Sequence, residues 1–171
     1  MNNNKKIFIG VGANLRGHMS SPNKNIDLVL YYLNYSGLRV IRKSSIYKSK
    51  PMPSGLGPSY YNRVIQIEST YSAFKILSIL QNIENIFGRK RTKYRNIPRI
   101  MDLDIIDCRK ELINHRLLSL PHPKINERDF VLRPLCEIEP NWVHPRNNKN
   151  IKSLLVKINR YSINKAIKVN K

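Results

Sequence analysis

The order of apolar and polar positions predicts an alternation of strands and helices. Residues 7–12 (IFIGVG) form an apolar, β-branched run that ends at Gly12 and is typical of a buried central strand. Ser21 and Pro22 indicate a helix start, because serine caps a first turn and proline fits its first position. This first helix is expected to close at Gly37.

The next part of the chain repeats this strand and helix pattern. β-branched and aromatic residues predict a second strand over 38–49, and the proline- and glycine-rich stretch 49–59 is a loop of a length typical of functional loops. Residues 60–70 alternate polar and apolar positions and predict a third strand. Ser72 caps a second helix, whose apolar residues recur at helical spacing up to Gly88.

A fourth strand is predicted in the segment IMDLDIID, residues 100–107. Its odd-numbered apolar residues face one side, so Asp102 and Asp104 face the other. A hairpin is expected over 111–120 and a short helix near 126–133.

The order strand, helix, strand, strand, helix, strand predicts an α+β fold of the ferredoxin-like sandwich class, with helices packed on one face of an antiparallel sheet. A chain of 171 residues is expected to form a single domain over residues 1–171. The basic tail, about 150–171, contains a segment (IKSLLVKINR) that predicts a short amphipathic helix.

Composition excludes several classes of protein. Hydrophobic residues make up 41% and charged residues 25%, which argues against a disordered or low-complexity chain. The two cysteines, Cys108 and Cys136, lack metal-site spacing and are interpreted as core thiols of a cytoplasmic protein. No apolar run approaches the length of about 20 residues that spans a membrane, and the apolar stretch after Lys5 and Lys6 is interpreted as a strand rather than a signal peptide.

The net charge of +20 is unevenly distributed, because 19 of the 31 basic residues lie in segments 39–50, 89–99 and 146–171. For the last segment a solvated face or a frayed tail is a simpler interpretation than a nucleic-acid-binding arm. The middle segment runs directly into aspartates at 102, 104 and 107. This juxtaposition of opposite charges suggests a site for a polyphosphate and a metal.

Asp102 and Asp104 form a D-x-D motif on one strand face. Their Cα atoms are expected about 6.6 Å apart, from the rise of about 3.3 Å per residue. Both carboxylates could then bind one pair of Mg²⁺ ions at a reacting phosphate. A solvated strand edge is the alternative, but the adjacent cations favour the metal site.

His122 lies between two prolines, and a purely structural histidine is the alternative to a ligand. Arg128 and Phe130 follow within one or two turns and provide a cation and an aromatic ring, which suits a nucleoside triphosphate. The chain has no Walker, G-x-G-x-x-G or G-x-S-x-G motif.

The segment RNIPRIMDLDII, residues 95–106, is similar to the signature of the 6-hydroxymethyl-7,8-dihydropterin pyrophosphokinase family. The resemblance extends over residues 7–145 and includes GVGANL ending at Leu15, SSIYKSKP, YYNRVIQIES, IENIFGRKR and LPHPKINERDFVLRPLCEIEP. It implies a ferredoxin-like fold and transfer of the β,γ-diphosphate of ATP to the hydroxymethyl group of a dihydropterin in folate synthesis, with release of AMP.

The resemblance also implies a role for each site residue. The implied catalytic residues are Arg89, Arg99, Asp102 and Asp104, of which the two aspartates hold two Mg²⁺ ions. The implied ATP-binding residues are Gln81, Glu84, Arg91, Ile105, Ser119, His122 and Arg128. The implied pterin-binding residues are Ser49, Lys50, Met52, Tyr60, Asn62, Asn96 and Phe130.

Three positions depart from the family pattern. Ile97 stands where the signature has a small residue, Asn96 where some members have tryptophan, and Ser49 where threonine is frequent. None of these is an implied metal ligand or one of the implied catalytic arginines, Arg89 and Arg99, so activity is expected to survive.

Two other functions remain as alternatives at this point. The charge and the fold class suggest a nucleic-acid-binding module, but such modules place aromatic residues where this chain has Asp102 and Asp104. A D-x-D nuclease would need further carboxylates. We therefore expect ATP and a pterin as substrates, neither nucleic acid nor membrane as a partner, and a monomer or weak homodimer.

Overall fold

The computed structural model describes residues 6–17, 19, 21–51, 57–89, 100–161 and 165–169. Within these residues the strands are β1 (Ile7–Ala13), β2 (Arg39–Lys43), β3 (Tyr47–Ser49), β4 (Tyr60–Glu68), β5 (Asp102–Cys108), β6 (Ile113–His115), β7 (Leu118–Leu120) and β8 (Ile167–Lys168). The helices are α1 (Pro22–Tyr35), α2 (Ala73–Ile86), α3 (Asp129–Ile138) and α4 (Ile151–Tyr161), and a 3₁₀ turn covers Ile125–Glu127.

The main sheet is antiparallel and has the order β5-β1-β4-β3-β8, with β2 also paired to β4. Strands β6 and β7 form the expected hairpin. The first, third and fourth predicted strands and the first two predicted helices are therefore confirmed, and β5 lies at one edge of the sheet beside the central strand β1.

The helix boundaries follow local sequence signals. The Ser21 hydroxyl accepts a hydrogen bond from the Lys24 amide at 3.4 Å, and the Ser72 hydroxyl caps α2 in the same way. Gly37 and Gly88 adopt φ values of +78° and +81° just past the two helices, a left-handed conformation that glycine enters without strain.

Helices cover both faces of the sheet. Helices α1 and α2 pack on the face that carries Leu103 and Ile105, as the sandwich class predicts. The predicted ferredoxin-like α+β sandwich is confirmed, but the sheet carries helices on both faces rather than on one, because α3 and α4 pack on the opposite face around Phe8, Val64 and Ile106. The physical reason is that β1, β4 and β5 carry apolar residues on both of their faces.

Three further boundaries differ from the sequence prediction. The predicted second strand is divided into β2 and β3 around Ser44, whose hydroxyl accepts a hydrogen bond from the Val64 amide at 3.1 Å. The short helix expected near 126–133 is a 3₁₀ turn followed by the longer α3. The amphipathic helix of the tail is confirmed as α4, but the frayed-tail interpretation is wrong for residues 165–169, which add β8 to the sheet.

None of the helices in the described residues combines the length and the apolar composition that a membrane crossing requires.

Candidate active site

The floor of the site is a row of residues across three neighbouring strands. Gly12 of β1 is paired with Asn62 of β4 on one side and with Asp102 of β5 on the other. Opposed residues of antiparallel strands point to the same face, so Asn62 and Asp102 face the same way across Gly12. A Cβ atom at position 12 would lie 3.2 Å from Asn62 Oδ1, so glycine keeps this floor open.

The adjacent row brings the second carboxylate onto the same face. Gly10 of β1 is paired with Asp104 and with Val64, and Val64 packs in the apolar cluster beneath α3. Because Leu103 packs in the opposite cluster, the predicted division of β5 into an aspartate face and an apolar face is confirmed.

Each of the two carboxylates has a cationic partner. Arg89 Nη1 lies 2.9 Å from Asp102 Oδ1, and Arg128 Nη1 lies 3.3 Å from Asp104 Oδ2. The side chains of Asp102 and Asp104 are 30% and 39% exposed, so both remain accessible from solvent. The partners come from different elements, because Arg89 follows α2 and Arg128 precedes α3.

Glu84 supports Arg89 from the α2 side of the sheet. Its buried carboxylate accepts hydrogen bonds from the Arg89 side chain and from the Leu103 amide, the latter at 2.8 Å. Burial raises the pKa of Glu84 to about 7, although both of these hydrogen bonds lower it. Glu84 thus links the end of α2, the edge strand β5 and the partner of Asp102.

His122 is fixed with one ring nitrogen towards Asp104. The Lys124 amide donates to His122 Nδ1 at 3.1 Å, which assigns the proton of the neutral ring to Nε2. This nitrogen lies 3.8 Å from Asp104 Oδ2 and 3.4 Å from Arg128 Nη1. Burial lowers the pKa of His122, although the charge of Asp104 raises it. The ring can therefore offer an Nε2–H donor beside the carboxylate while remaining uncharged.

On the other side of Gly12 lie five of the predicted pterin-binding residues. Asn62 Nδ2 donates to Ser49 Oγ at 3.0 Å, and both side chains are buried. Phe130 belongs to the first turn of α3 and packs on the same sheet face, with Arg128 Cζ 5.7 Å from its ring centroid. Tyr60 is half-buried opposite Ser49 in the sheet, and Lys50 is exposed just after β3.

The remaining predicted residues are distributed differently. Gln81 is half-buried on α2, one turn before Glu84, and Ser119 is half-buried in β7. The side chain of Ile105 is in the core against α1 and α2, which leaves its backbone for contact with a ligand. Met52, Arg91, Asn96 and Arg99 lie outside the described residues.

Sequence reasoning did not assign the floor glycines or the link between Glu84 and Arg89. A signal for the floor was present, because Gly10 and Gly12 interrupt an otherwise apolar strand and such glycines often mark close approach of another group. For Glu84 the signal was one acidic residue among the apolar positions of α2, five residues before Arg89.

The geometry disfavours one alternative function, a nucleic-acid-binding module. Packed helices cover both sheet faces, so the central strands do not present an open aromatic platform of the kind that stacks RNA bases.

Comparison with known proteins identifies a matching family. The family model described as 7,8-dihydro-6-hydroxymethylpterin-pyrophosphokinase (HPPK) matches residues 8–140. A 2-amino-4-hydroxy-6-hydroxymethyldihydropteridine pyrophosphokinase from Haemophilus influenzae is 37% identical over 164 residues, which cover 95% of this chain and 97% of that protein.

Other similar proteins are much longer than this chain. The folic acid synthesis protein fol1 of Pneumocystis carinii is 34% identical over 91% of this chain, but the match spans only 20% of that protein. A crystal structure of Plasmodium falciparum HPPK-DHPS superimposes with a TM-score of 0.73 at 13% identity, over 92% of this chain and 47% of that one. At this identity the structural likeness supports the fold alone.

Proposed function

This chain belongs to the 7,8-dihydro-6-hydroxymethylpterin-pyrophosphokinase family, and from that membership we propose that it transfers diphosphate from ATP to 6-hydroxymethyl-7,8-dihydropterin. In this reaction the pterin hydroxyl oxygen forms a bond to the β-phosphorus of ATP. The bond from that phosphorus to the α,β-bridging oxygen breaks, AMP leaves, and the hydroxyl proton is released. The products are AMP and the pterin diphosphate, an intermediate of folate synthesis.

The row of Asn62, Gly12 and Asp102 is the observation that carries this proposal. Neighbouring strands are about 4.8 Å apart, so the Cα atoms of Asn62 and Asp102 are separated by about 10 Å, with Gly12 and no side chain of β1 between them. A flat bicyclic ring fits this space with its amide edge at Asn62 and its hydroxymethyl group towards Asp102. Phe130 lies over the same sheet face and would stack on the ring.

Asp102 and Asp104 fit the role of Mg²⁺ ligands. Both are partly exposed carboxylates on one strand face, and Mg²⁺ prefers one or two carboxylates completed by waters and substrate phosphates. We propose that they hold two ions together with the triphosphate. Bound there, Mg²⁺ would neutralise phosphate charge and orient the β-phosphorus for in-line attack.

The cations of the site would bind the triphosphate. Arg89 and Arg128 each pair with one carboxylate, and a bound triphosphate offers both of them stronger anionic acceptors. His122 Nε2–H would donate to a phosphate oxygen, and Arg91 and Arg99 would add positive charge. Positioning and charge neutralisation account for most of the catalysis in phosphoryl transfer, so no nucleophile from the protein is needed.

The adenosine and the remaining pterin contacts complete the proposal. Gln81, Glu84, Ser119 and the backbone of Ile105 would lie near the adenosine. Ser49, Lys50, Met52, Tyr60 and Asn96 would complete the pterin pocket.

We further propose that residues 1–171 act as one pterin pyrophosphokinase domain in the cytoplasm, as a monomer or weak homodimer. The free cysteines, Cys108 and Cys136, support a reducing compartment. Sedimentation velocity tests the oligomeric state, and a stable oligomer larger than a dimer would contradict this proposal.

Product analysis tests the reaction directly. We expect the purified chain, given MgATP and 6-hydroxymethyl-7,8-dihydropterin, to form AMP only when the pterin is present. Asp102→Ala and Asp104→Ala should each remove most of the turnover. Asp27→Ala is the matched control, because Asp27 pairs with Arg63 and belongs to α1 on the other face of the sheet.

Release of ADP in place of AMP would contradict the proposed bond cleavage. AMP formation without pterin would contradict the proposed acceptor. Equal loss of activity in Asp27→Ala would show that any lost carboxylate disturbs the protein.

A further inference from the structure

Residues 165–169 lie beyond the family match, which ends at residue 140, and yet they are part of the sheet. Strand β8 pairs with β3, so that Lys168 opposes Tyr47 and Ile167 opposes Lys48. The Val169 amide extends this pairing with a hydrogen bond of 2.8 Å to the Ile46 carbonyl. Strand β3 is therefore held on both sides, by β4 and by β8.

The same segment is also attached to the start of α3. The Ala166 amide donates to Asp129 Oδ2 at 2.7 Å, in a buried position. Asp129 is 4% exposed, and its second contact is Arg133 Nε at 3.4 Å. A buried carboxylate is costly unless it is hydrogen-bonded, so this attachment strongly specifies where the segment lies.

Glu137 provides a third connection between the same elements. Its carboxylate accepts hydrogen bonds from the Ser45 amide and hydroxyl, at 3.1 and 2.8 Å, and from the Tyr47 hydroxyl at 2.8 Å. Lys168 Nζ of β8 lies 3.5 Å from the same carboxylate. Burial and the bond to Glu137 raise the pKa of Tyr47 to about 12, so its hydroxyl remains a donor at neutral pH.

These attachments reach both sides of the proposed pterin pocket. Strand β3 ends at Ser49, which accepts the hydrogen bond from Asn62. Asp129 lies directly between Arg128 and Phe130 in sequence, at the first residue of α3. The distance between Ser49 and Phe130 depends on the contacts that connect β3 to α3. Segment 165–169 forms hydrogen bonds to both of these elements.

We propose that segment 165–169, through the Ala166 amide and Asp129, is a positioning element that sets the spacing of the two pterin-binding sides. Asp129 is then a positioning residue, since it acts through Phe130. The inference rests on the proposed function, because the pterin is the ligand that Phe130 and Ser49 would hold.

A merely structural anchor makes a different prediction from a positioning element. Loss of an anchor lowers stability and leaves substrate binding by the folded fraction unchanged. Loss of a positioning element raises KM for the pterin even in fully folded protein, because small displacements of binding groups weaken the productive geometry. Steady-state kinetics well below the melting temperature separate the two.

Two full-length variants break the same hydrogen bond from opposite ends. Ala166→Pro removes the amide donor, and Asp129→Ala removes the acceptor. We expect KM for the pterin to rise about tenfold in each, with KM for MgATP within about twofold in Ala166→Pro. The double variant should be no worse than the more affected single variant, because both changes remove one interaction.

Two more variants serve as controls. Asp129→Asn keeps an acceptor oxygen and should restore most of the pterin KM. Leu154→Ala opens a cavity beneath α3 from the α4 side, so it should lower the melting temperature without a change in the pterin KM.

Three outcomes would overturn the inference. The first is a lower melting temperature with an unchanged pterin KM in both single variants. The second is additive effects in the double variant, and the third is an equal rise of KM in Leu154→Ala. A wild-type chain that forms no pterin-dependent AMP would instead overturn the proposed function, and the inference with it.

Discussion

The two ends of strand β5 carry aspartates in contrasting surroundings. At the first end, Asp102 and Asp104 are partly exposed, and their partners are the long side chains of Arg89 and Arg128. At the other end, Asp107 is 2% exposed. Its two oxygens accept hydrogen bonds from Trp142 Nε1 at 2.8 Å and from the Lys110 amide at 2.9 Å.

The difference separates a carboxylate that can exchange its partner from one that cannot. A guanidinium on a flexible stem can leave a carboxylate for a phosphate, and a metal ion can then take its place. An indole and a backbone amide are held by the fold, so Asp107 serves the packing of Trp142 beneath the sheet. Burial raises the pKa of Asp107, although the hydrogen bonds from Trp142 and Lys110 lower it.

The largest expected difference comes from the same amide substitution at the two ends. Asp104→Asn removes a charge proposed to bind Mg²⁺ and should lower kcat/KM at least about a hundredfold. Asp107→Asn makes the same chemical change away from the site and should leave kcat/KM within about twofold of the wild type. The AMP assay measures both.

Comparable losses of activity in the two variants would remove the distinction between the ends of β5. Circular dichroism of Asp107→Asn shows whether any loss of activity in this variant is caused by unfolding.

The free energy of unfolding should respond in the reverse order, with a larger change on loss of the Asp107 side chain than on loss of the Asp104 side chain. Asp107→Ala leaves the Trp142 indole N–H buried without its acceptor and should lower the free energy of unfolding by about 2 kcal/mol. Asp104→Ala removes a partly exposed side chain and should change it by about 0.5 kcal/mol or less. Urea denaturation monitored by tryptophan fluorescence measures both, and a larger effect for Asp104→Ala would contradict the comparison.

A smaller effect is expected from closing the floor beside the Asp102 end. Gly12→Ala would place a methyl group 3.2 Å from Asn62 Oδ1, and Ser49 restrains the Asn62 side chain. We expect kcat/KM for the pterin to fall about tenfold, mainly through KM. An unchanged pterin KM in folded Gly12→Ala would place the ring elsewhere.

The smallest effect concerns the pH dependence of stability. The pKa of Glu84 is raised from 4.5 to about 7, so its contribution to stability is fully present below pH 4.5 and is lost as the pH rises through 7. Glu84→Gln keeps an acceptor for Arg89 and Leu103 but has no charge to desolvate. The melting temperature of Glu84→Gln should therefore rise relative to that of the wild type as the pH increases from 4.5 to 7. A difference in melting temperature that does not change with pH would contradict the burial of an ionisable Glu84.

Sequence reasoning succeeds where the signal is local. Ser21 and Pro22 specify a helix start through their own hydrogen bonding and ring geometry. The alternation around Leu103 places Asp102 and Asp104 on one face, because side chains of a strand alternate strictly until a bulge intervenes.

A bulge of this kind makes simple alternation fail at Asp107, further along β5. Phe8 opposes Asp107 and Ile9 opposes Ile105, so the register skips Ile106. Simple alternation would place Asp107 on the face opposite Asp104, whereas its pairing with Phe8 places both on the same face. The extra residue is set by contacts with β1 and leaves no pattern in β5 itself.

Contacts between distant segments escape prediction for a related reason. Strand β8 has only the residues Ile167 and Lys168, which are too few for a periodic signal. Its position depends on Asp129 and on the edge of β3 that β4 does not occupy. The packing of α3 and α4 on the second sheet face was similarly hidden, because an apolar strand does not reveal which helices cover it.

The position of Gly12 also bears on when the site can open. Glycine is the most freely moving residue in an unfolded chain, but here it lies in β1, which is hydrogen-bonded on one side to β4 and on the other to β5. A strand enclosed in this way exchanges its amide hydrogens only in the rarest openings of the molecule. The floor of the proposed site therefore persists for as long as the protein remains folded, whereas Arg89 and Arg128 can change their ionic partners by side-chain rotation alone.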